Sequence, residues 1–171
     1  MKRKAFTLIE LLIVIAIIGV LAAALYPTIR GALASGRDGA REGDINNIIT
    51  GLEVYNSTYG TYPDFDTGEC VSNIFVDPED SAVSVEKDIF KGEGAPKDPS
   101  PNRSLPAGVD DPGNCIDAGD YYYRFVNDNK IEYLIATVME NETKNNTDDD
   151  PESYDPQNPL AAGDTYYIKL I

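Results

Sequence analysis

The chain contains no histidine, so the side chain that most often serves as general base and as metal ligand is missing. Bases are scarce too: 14 Lys and Arg stand against 29 Asp and Glu, a net charge of −15. Such a surface repels nucleic acid and anionic headgroups, so no nucleic-acid partner is expected, and most of the acids read as a solvated exterior. Cysteine is limited to Cys70 and Cys115, which are better explained as a bridge than as nucleophiles. Paired carboxylates do hydrolytic work when one is held protonated and the other ionised, but nothing in the sequence groups them in that way. An enzyme is therefore not expected. Internal repeats are absent, and 171 residues leave room for one globular domain plus an anchor.

What the chain does have is an apolar N-terminus. Lys2, Arg3, Lys4 and Ala5 are followed by Phe6-Thr-Leu-Ile-Glu10 and a near-continuous apolar run to Leu25. Crossing about 30 Å of hydrocarbon takes about 20 residues, which Phe6 to Leu25 supply. The exception is Glu10, because a carboxylate within such a segment is costly and is usually placed to meet a partner. By the positive-inside rule the three leading bases stay cytoplasmic and the chain beyond Tyr26 is translocated. A secretory signal cut near Ala22-Ala23-Ala24 is the competing reading; Glu10 and the helical pattern continuing past Pro27 oppose it.

These residues resemble the type IV pilin and pseudopilin family, whose signature is a short basic leader, a small residue and a Phe-Thr-Leu-Ile-Glu run. The resemblance is specific over about the first 25 residues and implies a pilin-like fold. It also implies that a membrane-embedded prepilin peptidase cuts between Ala5 and Phe6 and methylates the new N-terminus at Phe6. Ala5 departs from the glycine usual before the cut. The implied partners are the peptidase, an inner-membrane assembly platform, other copies of the chain or related pilins, and the lipid bilayer before assembly. The implied location is the cytoplasmic membrane, single-pass with the head outside, and then an extracellular or periplasmic filament. Losing Lys2, Arg3 and Lys4 would take the charge from −15 to −18.

Two cations compete for Glu10 once the leader is gone. One is the Phe6 amine of the same chain, a helix cap favoured by the dipole; the other is the Phe6 amine of an adjacent subunit, which would make Glu10 an assembly residue. The resemblance points to the second. Pro27 lacks a backbone donor and should kink or open the helix between about Ala23 and Pro27; the resemblance, in which a helix-breaking Pro often stands here, implies Gly19 to Pro27 as the place for melting on assembly. Gly31, Ser35, Gly39 and Gly43, spaced four apart, form either a groove for another helix or simply a weak linker.

Beyond the anchor, Ile45, Ile48, Ile49, Leu52 and Tyr55 fall at helical spacing, with Arg41, Asp44, Asn47 and Glu53 off the stripe. One helix from Phe6 to about Asn56 would be about 75 Å long at about 1.5 Å per residue. It should end near Tyr59-Gly-Thr-Tyr-Pro63. Asp64 to Gly119 is loop-rich, with short elements at Val71 to Val76 and Val85 to Phe90. Strands are expected at Tyr121 to Val126, Ile131 to Met139 and Tyr166 to Ile171, the first two joined by a hairpin at Asn127 to Lys130. The expected fold is α+β: a long N-terminal helix, membrane-spanning in one half and amphipathic in the other, packed on the one apolar face of a C-terminal antiparallel sheet of about three strands. The divisions are 1–5 leader, 6–30 transmembrane and assembly helix, and 31–171 extracytoplasmic head with the distal half of the helix.

An even cysteine count in an exported domain reads as a Cys70–Cys115 disulfide, worth about 4 kcal/mol in the chain-entropy model. Two buried free thiols are the alternative, disfavoured by the polar, Pro-rich segment between them. No cofactor is expected. Calcium is the one candidate, at Asp64 and Asp66 or at Asp148, Asp149 and Asp150, although the first run departs from an EF-hand register and Phe75 stands where its closing acid would fall. Lys97-Asp-Pro99 ahead of Tyr121-Tyr-Tyr resembles a pattern of both pilins and pseudopilins. The expected function is a structural subunit of a type IV pilin-like filament. A pseudopilin of a type II secretion system is the nearest alternative, and a membrane-tethered acidic binding module the rival from another class.

Overall fold

Capping chemistry sets both ends of the first element. In the computed structural model, which describes residues 6–65, 68–100, 114–116, 118–125, 132–141 and 167–170, helix α1 runs Leu8–Tyr59, 52 residues. Thr7 is extended, and its side chain accepts from the Glu10 N–H while the Glu10 carboxylate accepts from the Thr7 N–H, a capping box. Gly60 closes the helix at φ 74, a left-handed conformation that costs glycine no Cβ clash, and donates its N–H to the Asn56 carbonyl at 2.8 Å. The backbone stays helical through Pro27, so the residues from Ala23 to Pro27 are not opened in the isolated chain.

After α1 come β1 (Glu69–Cys70), α2 (Val71–Ile74), α3 (Glu86–Ile89), β2 (Tyr122–Phe125), β3 (Tyr133–Thr137) and β4 (Tyr167–Leu170). The sheet is antiparallel in the order β1-β2-β3-β4. Its register pairs Tyr123 with Ile135 and Ile135 with Lys169. The three expected strands lie inside their anticipated ranges, and α2 and α3 fall where short elements were expected. The two-residue β1, pairing Glu69 with Tyr123 and Cys70 with Tyr122, is an addition. The hairpin expected at Asn127 to Lys130 lies outside the described residues.

The stripe on α1 meets one face of this sheet. Ile45, Ile48, Leu52 and Tyr55 pack with Val71, Ile74, Phe75, Tyr121, Tyr123, Tyr133 and Ile135 in the main core, and Ile49 is half-buried at its edge. A single apolar sheet face was expected, but the other face is buried as well: Tyr122, Leu134, Ala136 and Val138 form a second cluster with Cys115 and Ile116. The physical reason is in the alternation, since apart from Arg124, Thr137 and Lys169 both the odd and the even residues of β2 to β4 are aromatic or aliphatic, which leaves no wholly polar face to turn to water. Cys70 and Cys115 are bonded, with Cα atoms 5.2 Å apart, and this bridge lies against the second cluster. At Gly51 the helix passes so close to Phe90 that a Cβ would lie 2.5 Å from the ring, so a larger residue there would push the Phe90 ring away from α1.

Candidate functional site

The N-terminal half of α1 is an apolar surface with no cover in the isolated chain. Phe6, Leu8, Ile9, Leu11, Leu12 and the large apolar residues on to Leu33 are all exposed. One helix is long and apolar enough to cross a membrane, its best window having a mean hydropathy of 3.0 with none of it buried. Glu10 sits in the first turn of that surface. Its Oε2 accepts from the Thr7 N–H at 2.8 Å and from the Thr7 hydroxyl at 2.8 Å, while among the described residues Oε1 takes no hydrogen bond. Phe6 is 84% exposed and precedes an extended Thr7, so the chain is still non-helical next to the expected cut. Ala5 lies outside the described residues.

A second site, which the sequence reading missed, joins helix to head. Counting back from Ile45 by four and then three reaches Arg41 and Asp38, which continue the core-facing stripe in charged residues. Arg41, expected off the stripe, is wholly buried, as is Asp38. The Arg41 guanidinium donates to Asp98 at 2.7 and 2.9 Å, to Asp38 at 2.5 Å and to Glu140 at 2.9 Å. Arg37 also pairs with Glu140. Asp38 accepts the backbone N–H groups of Glu140 and Asn141 at 2.8 Å each, and Asp98 accepts that of Ser100 at 2.7 Å. Three separate segments thus converge on one guanidinium whose geometry matches two carboxylates at once.

The electrostatics follow from those contacts. Burial opposes the charge on Arg41, but hydrogen bonds to Asp98 and Glu140 outweigh it and raise the pKa. Hydrogen bonding from Arg37, and then from Arg41, holds Glu140 down at about 2 against burial. Beside the cluster Tyr121 donates to Asp44 at 2.8 Å. Burial pushes both of these groups upward, so the phenol remains a donor. The usable clue in the sequence was the spacing of Asp38, Arg41 and Ile45, which charge type alone had removed from the stripe.

Of the calcium candidates, Asp64 is exposed, while Asp66 and Asp148 to Asp150 lie outside the described residues. Among the described residues no three carboxylate or cysteine side chains are grouped to hold a metal. Residues 1–26 match the family described as the prokaryotic N-terminal methylation motif. No curated protein and no solved structure matches the chain. With the capped, uncovered apolar helix and the α+β head in place, the chain carries at its start the signature of the type IV pilins and pseudopilins.

Proposed function

We propose that this chain is a type IV pilin-like structural subunit, made as a membrane-anchored precursor. A prepilin peptidase cuts it between Ala5 and Phe6 and methylates the Phe6 nitrogen, and the product polymerises through α1 at an assembly platform. The observation that carries the reading is a solitary carboxylate, Glu10, on an uncovered apolar helix whose first residues match the methylation motif. Cleavage would create an ammonium group at Phe6. Two unit charges at about 4 Å are worth about 4 kcal/mol at an effective dielectric of 20, against about 2.5 to 3.5 kcal/mol for placing one charge at the centre of a membrane helix. A nearby cation is therefore enough to offset the cost.

The capping box supports the second of the two pairings, with a neighbouring subunit. Both Thr7 bonds use Oε2 and survive removal of residues 1–5, since neither involves the leader. Oε1 then serves the amine of a neighbouring subunit, and only one axial offset leaves no charge unpaired. Such head-to-tail contacts do not close on themselves, and the product is a helical filament. Once subunits leave lipid, side chains from Leu8 to Leu21 supply packing between helices.

The test is Glu10→Gln in the full-length chain, expressed with its assembly machinery. Insertion and leader removal are expected to continue while filament yield collapses; normal filaments would overturn the register role. Mass spectrometry of the mature chain should find methylated Phe6 at its start. Electron microscopy separates the narrower readings. Surface filaments identify a type IV pilin, loss of secretion without surface filaments a type II secretion pseudopilin, and an uncut stable monomer a tethered acidic binding module.

A further inference from the structure

Between Leu11 and Arg37 the only charged residues are Arg30 and Arg37, in a chain with twice as many acids as bases. Arg37 is already paired with Glu140 on the head. Among the described residues Arg30 has no carboxylate partner; its guanidinium lies over the Tyr26 ring, 4.8 Å from the centroid. We propose that Arg30, backed by Tyr26, binds the phosphodiester of a phospholipid headgroup on the outer face of the membrane before the subunit is assembled, an inference that rests on the anchored-precursor reading above.

Position along the helix supports this. With the hydrocarbon core spanning Phe6 to Leu25, Arg30 stands about 7.5 Å beyond its edge at about 1.5 Å per residue, within a headgroup layer about 5 to 8 Å deep. Arg37 lies about 18 Å out by the same rise, above the lipid, where the head meets it. Arg30, Leu33, Ala34 and Arg37 share one helix face and line a recess of about 410 Å³ with Glu140. That recess opens below the head on the face that, higher up, carries Arg41 and Ile45. A lipid headgroup thus meets a cation beneath an otherwise acidic domain.

The chemistry also selects the ligand. A guanidinium presents a planar fork that engages two phosphate oxygens at once. The Tyr26 ring stacks against that fork and suits the membrane–water boundary, with its apolar body inward and its hydroxyl in the polar layer. Along α1 the nearest acids are Glu10 inside the bilayer and Asp38 within the buried cluster, and Glu140, which shares the recess, is already paired with Arg37 and Arg41, so among the described residues none of the three competes for Arg30. The contact would fix the depth of the precursor and hold Arg37 and the head clear of the surface.

The experiment uses the full-length chain with isotopically labelled arginine in bilayers of phosphatidylethanolamine and phosphatidylglycerol. Carbon–phosphorus dipolar dephasing at the guanidinium carbons is read by solid-state NMR. Arg3 in the leader would, by the positive-inside rule, also come near headgroups, so the comparison is with Arg30→Gln. Part of the dephasing is expected to vanish in that variant; identical dephasing in both proteins overturns the proposal and leaves Arg30 for an acidic surface of a second copy. Because the chain has no tryptophan, Tyr26→Trp adds a single depth reporter. Quenching by lipids brominated near the headgroup is expected, and quenching only from bulk water overturns the placement. Flotation with the vesicles reads the anchor separately: failure to float sinks the anchored reading and this one together, whereas flotation without Arg30-dependent dephasing sinks this one alone.

Discussion

The two halves of α1 solve the same problem in different ways. Each carries charge on a face that seeks burial. In the distal half the partners of Arg41 come from the same chain, Asp98 and Glu140 having been delivered by distant loops, and Ile45, Ile48 and Leu52 are fully covered by the head. In the proximal half, among the described residues, Glu10 has only Thr7, and every large apolar side chain from Phe6 to Leu33 is uncovered. A helix segment finished within its own molecule needs no environment, whereas an unfinished one leaves a surface to be covered, which on the proposed function hydrocarbon and then other helices and a cation would do.

That contrast is open to attack from either side. Arg41→Ala should have the largest effect, leaving Asp38 and Asp98 buried without their cation at a cost of about 3 to 5 kcal/mol. Denaturant melting of the full chain in detergent would measure the loss, and unchanged leader removal would show that the proximal half is independent of it. Cys70→Ser should cost about 4 kcal/mol by opening a 45-residue separation in the unfolded chain, read as a lower midpoint that reductant no longer affects. Acid should act through Glu140. Folding holds its pKa at about 2 against an ordinary 4.5, so between those values the unfolded chain binds more protons than the native one. Stability from this group is complete above about pH 4.5 and declines as pH falls towards about 2; Glu140→Gln should flatten that part of the pH profile. The smallest effect is expected from Gly39→Ala. Nothing lies within 4 Å of the added Cβ, so the isolated chain should gain up to about 1 kcal/mol of helix propensity. If the row of small residues is a groove for another helix, the same variant should assemble less well, which a filament-yield assay decides.

Much of the fold was legible because it is written in periodicity and punctuation. The apolar run, the Ile45 to Tyr55 stripe, Gly60 and the three aromatic strands each rest on local chemistry. What escaped depended on long-range partners. Arg41 looked like a surface residue because its own neighbours in sequence gave no sign of Asp98 or Glu140, which lie 57 and 99 residues away. The second sheet face escaped because alternation was assumed where Tyr121 to Tyr123 and Tyr133 to Met139 have none. β1 is two residues long, too short for any pattern, and is held by the bridge at Cys70. At the N-terminus the methylation motif over residues 1–26 was readable. That Glu10 spends one oxygen on Thr7 was not, because a Thr-x-x-Glu capping box within an apolar run is masked by the louder signal around it.

The unbroken course of α1 has a mechanical consequence. A load pulling on the head passes through the Arg41 clamp into a single column of backbone bonds, with no hinge to absorb it. Proline has no N–H to offer, so the Ala23 carbonyl lacks its usual partner one turn ahead, and the column is weakest at that rung. Under tension the rod should yield there first, lengthening at the outer end of the apolar segment while the clamp keeps its grip.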